Sequence, residues 1–243
     1  MARLAGKVAV ITGSSRGIGR GIALKFGREG AKVVVNYQGN REKAEAVVRD
    51  IVAEGSDALA VQADMSDVQQ IERLMTRAVD HYGKLNILVS NAGIELFKAL
   101  AEVTVEDFDH LFAINTRGQF FAAQQAAKRM EDGGRIIFTS SISVTRGIAG
   151  HSLYPASKAA VEIFARNLAV ELGPRAITVN AIAPGATTSD MSAAYSSSYS
   201  NPSSTLGRLG TPEDIANVVA FLVSEEGSWI NGQTIYATGG FGL

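Results

Sequence analysis

Seven short aliphatic and β-branched runs, separated by longer amphipathic stretches, constrain this chain more than any other feature. They cover residues 8–12, 32–36, 58–62, 87–90, 135–140, 178–182 and 234–237. Segments such as Val33-Val34-Val35 and Ile136-Ile137-Phe138 are apolar at every position, which suits strands covered on both faces and therefore a parallel sheet. The intervening stretches 20–29, 41–54, 67–82 and 155–172 carry apolar residues at three- and four-residue spacing, the stripe of a helix that buries one side. Strand and helix in alternation predict an α/β fold, a doubly wound seven-stranded parallel sheet with right-handed crossovers. A chain of 243 residues accommodates one such domain over 1–243 and leaves little for a second.

Charge and composition narrow the function classes. The 23 basic and 24 acidic side chains leave a formal charge of -1 and no basic stripe, so nucleic acid is not expected as a partner. Charges or glycines interrupt every apolar run before it reaches spanning length, so no membrane partner is expected. Cysteine is absent, which removes disulfides and thiolate chemistry and suits a cytoplasmic location. His81, His110 and His151 are scattered along the chain with no acidic cluster, so no metal is expected.

The first run leads into Thr12-Gly13-Ser14-Ser15-Arg16-Gly17-Ile18-Gly19, and an amphipathic segment follows directly. That order is what a dinucleotide needs: Gly13 for a sharp turn, Gly17 for close approach of the pyrophosphate, Gly19 for tight packing, and helix amides for the anion. At the end of the second run an acidic residue would bind a ribose hydroxyl and repel a 2'-phosphate. Here Asn36-Tyr37 stand instead, and Arg16 brings a guanidinium suited to phosphate. Together they favour NADP(H) over NAD.

Further on, Tyr154-Pro155-Ala156-Ser157-Lys158 sets a phenol and an ammonium four residues apart at a helix start, on one face. A tyrosine pKa is ordinarily about 10, and a neighbouring cation lowers it toward neutrality.

These elements, with Ser90-Asn91-Ala92-Gly93, Asn115 and Ser141, resemble the short-chain dehydrogenase/reductase family in order and spacing. The resemblance runs from about Lys7 to the carboxyl end and takes in Pro184-Gly185 and Asn231-Gly232-Gln233. It implies a Rossmann-type fold with four catalytic residues: Tyr154 as general acid in reduction, Lys158 lowering its pKa and holding the nicotinamide ribose, Ser141 bonding the substrate carbonyl, and Asn115 holding a water beside the lysine. It also implies cofactor contacts at Gly13, Ser15, Arg16, Gly17, Ile18, Gly19, Asn36, Tyr37, Asp64, Met65, Asn91, Ala92, Gly93, Tyr154, Lys158, Pro184, Gly185, Thr187 and Ser189. After Pro184-Gly185 family members commonly carry Ile and then Thr, whereas Thr187 and Ser189 stand here.

The implied reaction is NADPH-dependent reduction of a small-molecule ketone to a secondary alcohol. General resemblance to 3-oxoacyl-carrier-protein reductases puts a 3-oxoacyl thioester first, delivered by an acyl carrier protein that Arg129 and Arg175 would meet near the cleft. The stretch Asn115-Thr116-Arg117-Gly118-Gln119-Phe120-Phe121 is similar to fungal hydroxynaphthalene reductases, which keeps a cyclic or aromatic ketone, quinone or sugar open. A sensor or scaffold that binds NADP without turnover is the non-enzymatic alternative. The Ser- and Tyr-rich stretch inside 187–210 is expected to be a substrate lid. The family also implies a homotetramer, built on helices at 115–129 and 155–172, with Ala159, Ala160, Ala165 and Ala169 allowing close helix approach.

Overall fold

The computed structural model describes residues 2–189 and 204–241. Its centre is one parallel sheet of seven strands, β1 (Val8–Ile11), β2 (Lys32–Tyr37), β3 (Ala58–Gln62), β4 (Ile87–Ser90), β5 (Arg135–Thr139), β6 (Thr178–Pro184) and β7 (Thr234–Ala237), in the order β3-β2-β1-β4-β5-β6-β7. Strand side chains alternate between two cores. Ala9 and Ile11 of β1 join Val33, Val35, Ile87 and Val89 in one core, whereas Val10 joins Val34, Leu88 and Ile136 in the other. Register carries this across the sheet, with Val10 level with both Val34 and Leu88.

The first core is closed by α1 (Gly17–Arg28), α2 (Arg41–Ala53) and α7 (Pro212–Val223), through Ile22, Phe26, Val47, Ile51, Ile215 and Val219. The second is closed by α3 (Val68–Tyr82), α5 (Gln119–Arg129) and α6 (Leu153–Leu172), through Ile71, Leu74, Ala122, Ala126, Val161 and Ala165. Capping sets several helix starts: Asp67 accepts from Gln69 and Gln70 at α3, and Thr211 with Asp214 forms a reciprocal box at α7.

Three expectations change. The helix expected over 115–129 is present but starts earlier and is unevenly wound: α4 (Val105–Phe112) continues through a wide helical turn, Ala113–Gly118, directly into α5. Gly118 sits against the Met65 carbonyl so closely that no Cβ would fit. Ala165 and Ala169, expected at a subunit interface, are buried against this chain's own sheet beside Val179 and Ala181. α1 starts at Gly17, earlier than the apolar pattern suggests, so the glycine turn is itself the first helical turn. Of the expected lid, residues 190–203 lie outside the described residues. Its flanks are clasped by a parallel bridge between Thr187 and Gly210.

Candidate active site

Strand order reverses between β1 and β4, and the carboxyl ends of the strands open there into a cleft of about 470 Å³. This is where a doubly wound sheet binds its ligands. The glycine turn lines one end, through Gly13, Ser15, Arg16, Gly17, Ile18 and Gly19. Gly13 and Gly17 have φ of 63° and 55°, left-handed values that favour glycine. A Cβ on Gly19 would stand 2.5 Å from the Gly13 carbonyl oxygen and 2.6 Å from Asn91 Nδ2, so Gly19 packs against the turn itself. Among the described residues the N-cap Arg16 makes no side-chain cap to α1, and the first turn holds no acid, which suits helix amides to an anion.

Neighbouring strands stitch the turn in place. Thr12 Oγ1 accepts from the amides of Asn91 and Ala92, both at 2.9 Å, and Asn91 Nδ2 donates to the Thr12 carbonyl at 2.9 Å. Asn36 Oδ1 accepts from the Gly13 amide at 2.9 Å while its Nδ2 donates to the Ala63 carbonyl at 3.1 Å. Asn36 lines the cleft, but these bonds engage its side chain in bracing backbone. Arg16, Gln38, Gly39, Asn40 and Lys43 line the same end. Sequence reasoning missed Lys43, which no motif marks; it lies in the first turn of α2, past the capping Asn40. Arg41 is paired with Glu45 at 2.6 Å instead. Asp64 accepts from Ser66 and Gln38, and against the pull of burial these bonds hold its carboxyl below its ordinary value.

At the other end stand Ser141, Tyr154 and Lys158. Tyr154 and Lys158 lie one turn apart at the start of α6, both buried. Lys158 Nζ donates to the Thr139 carbonyl at 2.9 Å and lies 5.8 Å from the Tyr154 ring centre. Ser141 Oγ accepts twice from Ser143, from the amide at 3.2 Å and the hydroxyl at 2.9 Å, which leaves its own proton to donate. Ser143 therefore orients Ser141. Asn115 sits in the wide turn, accepting from the Ile94 amide at 2.9 Å and donating to the Ile94 carbonyl at 2.8 Å and Ser157 Oγ at 3.1 Å. Wide turns recur at functional sites. A Cβ on Gly93 would meet both Lys158 Nζ at 3.1 Å and Asn115 Oδ1 at 3.2 Å, so these two polar groups flank one point.

Met65, Asn91, Ala92, Pro184, Ser189 and Tyr37 also line the cleft. Gly185 and Thr187 do not: Thr187 Oγ1 turns back onto the Gly185 carbonyl at 2.9 Å. Arg129 and Arg175, expected beside the cleft, do not line it and instead bond the closing turns of α5. Arg129 donates to the Gln125 carbonyl, and Arg175 to the carbonyls of Ala127 and Met130.

Lys158 was expected to lower the Tyr154 pKa, but the net displacement of this phenol is upward. Burial, then the Glu95 charge, pushes the phenol well above its ordinary value, against a hydrogen bond with Ser141. Burial pushes Lys158 itself down to about 8, against the pull of Glu95. The phenol thus stays protonated, while the ammonium is the group that deprotonates near the working pH. Because kcat/KM reports groups of the free enzyme, kcat/KM for the nucleotide should be flat below about pH 8 and fall above it as Lys158 loses its charge. A profile flat well beyond that value would contradict the assignment.

The model of a family described as enoyl-(acyl carrier protein) reductase matches residues 13–242, nearly the whole of this site and fold. The chain is a short-chain dehydrogenase/reductase. Relatives of this dehydrogenase/reductase include short chain dehydrogenase/reductase nsrJ of Aspergillus novofumigatus, 49% identical over 98% of this chain and 96% of that one. Versicolorin reductase stcU of Emericella nidulans is 46% identical with the same coverage. Among solved structures, a short chain dehydrogenase from Burkholderia cenocepacia in complex with NADP superposes with a TM-score of 0.95 at 40% identity, covering 99% of this chain and 100% of that one. The angucycline C-6 ketoreductase LanV with bound NADP gives 0.93 at 39% identity, covering 98% and 96%.

Proposed function

We propose that this dehydrogenase/reductase uses NADPH to reduce a cyclic or polycyclic aromatic ketone to a secondary alcohol. The observation that carries the reading is one continuous cleft, lined by Arg16 and Lys43 at one end and by Ser141, Tyr154 and Lys158 at the other. Its fit to a dinucleotide is supported by Gly19, where a side chain would collide with the turn, and by Gly93, where one would crowd Lys158 and Asn115.

Bound NADPH supplies the hydride. Ser141 donates to the carbonyl oxygen and stabilises the negative charge that develops there. Tyr154 passes its proton to that oxygen, a role that suits a phenol kept protonated by burial. Lys158 and Asn115 flank the point beside Gly93 and complete the polar side of the site, with Lys158 holding the nicotinamide ribose.

The names of the relatives, versicolorin reductase and angucycline ketoreductase, favour a ring-borne carbonyl, and Ile94 and Ile114 give the cleft apolar wall on which a flat ring can lie. This reverses the order that general resemblance suggests, in which a 3-oxoacyl thioester stands first. The engagement of Arg129 and Arg175 with the end of α5, outside the cleft lining, also weighs against docking of an acidic carrier protein by these two residues. A homotetramer is part of the proposal, supported by Trp229 at 97% exposure and by exposed Phe108, Ile163 and Val170; light scattering of the purified protein tests it.

Following NADPH oxidation with α-tetralone, hydroxylated naphthalenones and acetoacetyl thioesters decides the substrate class: higher kcat/KM on the ring ketones supports the proposal, and higher kcat/KM on the thioesters overturns it. Removing the guanidinium in Arg16→Ala should weaken NADPH binding roughly ten- to a hundredfold, the worth of a charge-assisted phosphate contact, with NADH little affected. Equal loss of both nucleotides, measured by titration, would remove Arg16 from the 2'-phosphate site.

A further inference from the structure

Two ionisable residues outside the chemistry above are buried beside it. Glu95 lies on the segment after β4, two residues beyond Gly93, and His151 on the segment entering α6. The segments are joined by a hydrogen bond from the Lys98 amide to the Gly150 carbonyl at 2.6 Å. Their side chains are only 4% and 1% exposed, and His151 Nε2 stands 3.2 Å from Glu95 Oε1. Neither imidazole nitrogen makes an aligned hydrogen bond among the described residues. Ring contacts hold the imidazole instead: it stacks on Phe97 at 4.0 Å with planes 8° apart, and on Tyr154 at 5.1 Å with planes 11° apart. The carboxylate, the imidazole and the phenol thus form one dry series.

We propose that Glu95 is a positioning residue for Tyr154: its carboxylate, held against the imidazole that stacks on the phenol, keeps that phenol in its proton-donating form and raises the pH at which alcohol oxidation can begin. The inference rests on Tyr154 being the proton donor of the proposed reduction.

The argument is electrostatic. A carboxylate in a low-dielectric pocket opposes a second anion beside it. Among the described residues, four groups bear on the phenol: Lys158 from its own helix, Ser141 from the segment after β5, and His151 and Glu95 from the two loops. Lys98, three residues beyond Glu95, is taken up by Asp107 of α4 at 2.5 Å. The Glu95 charge acts in the same sense on both buried catalytic groups, adding to burial at Tyr154 and opposing it at Lys158. It favours the proton-holding form of each, and reduction draws on both. Oxidation of the alcohol needs the phenolate, which the same charge disfavours.

Glu95→Gln keeps the shape of the side chain and removes the charge. Tyrosinate absorbance of the purified full chain, taken as a difference against Tyr154→Phe in the same background, isolates this one phenol without substrate or turnover. In Glu95→Gln the signal should appear at least about one pH unit below its position in the unsubstituted protein, and the rise of alcohol oxidation with pH, read with α-tetralol and NADP, should move down equally. Glu95→Ala repeats the test should the amide disturb the loop. Coincident tyrosinate titrations in all three proteins would overturn the proposal and leave Glu95 a structural residue. A shifted titration with no turnover on any ketone would uphold it and count against the proposed reduction alone.

Discussion

Tyr154→Phe should lower turnover with NADPH and a ketone by on the order of 10²–10⁴-fold, the usual worth of a positioned general acid, while nucleotide binding stays largely intact. The variant removes only the hydroxyl. The Phe ring can still stack on His151 as Tyr154 does at 5.1 Å, and Lys158 keeps its bond to the Thr139 carbonyl, so the fold and the ribose contact should survive. Calorimetric titration with NADPH beside steady-state assay separates the two effects. A variant retaining most of its kcat would mean that another group, or water, delivers the proton.

Gly19→Ala should be nearly as damaging by a different route. The added methyl carbon would lie 2.5 Å from the Gly13 carbonyl oxygen, 2.6 Å from Asn91 Nδ2 and 2.9 Å from Ser14 Cα, and these atoms are backbone or tied to backbone. None can yield without opening the turn that Thr12 and Asn91 hold together. Overpacking of this kind costs about 1–3 kcal/mol, expected here both as a lower melting temperature and as a loss of NADPH affinity of about tenfold or more. Gly147→Ala is the matching control, since a Cβ there meets nothing within 4 Å. Equal behaviour of the two variants would mean that the turn is looser than described.

The strands were the most legible part of the sequence because the inner ones are buried on both faces and read as near-continuous apolar runs; 58–62, 87–90 and 234–237 coincide with β3, β4 and β7. β6 runs two residues beyond its expected end because Ala183 and Pro184 carry no β-branched signal, only pairing with Tyr236 and Ala237. The widened turn between α4 and α5 was illegible for a tertiary reason: Asn115 is drawn to Ile94 and Ser157, partners that local periodicity does not see. The same limit explains the site. Glycines and the Tyr154–Lys158 pair announce themselves by local spacing, whereas Lys43, Ser143, Glu95 and His151 gain their positions from neighbours distant in sequence or unmarked by any motif. Asn36 lines the cleft at the expected position, and its bonds to Gly13 and Ala63 add a bracing role that spacing alone does not reveal. Arg129 and Arg175 could be read as free surface cations until helix termini claimed them.

The most direct measurement is transfer of label from NADPH deuterated at the nicotinamide C4, incubated with the purified chain and α-tetralone, with the alcohol examined by mass spectrometry. One deuterium on the carbinol carbon from one C4 face of the nucleotide, and none with Tyr154→Phe under the same conditions, is the predicted result. Tight NADPH binding with no labelled alcohol from this or any other ketone would contradict the account and leave a protein that holds the nucleotide without using it.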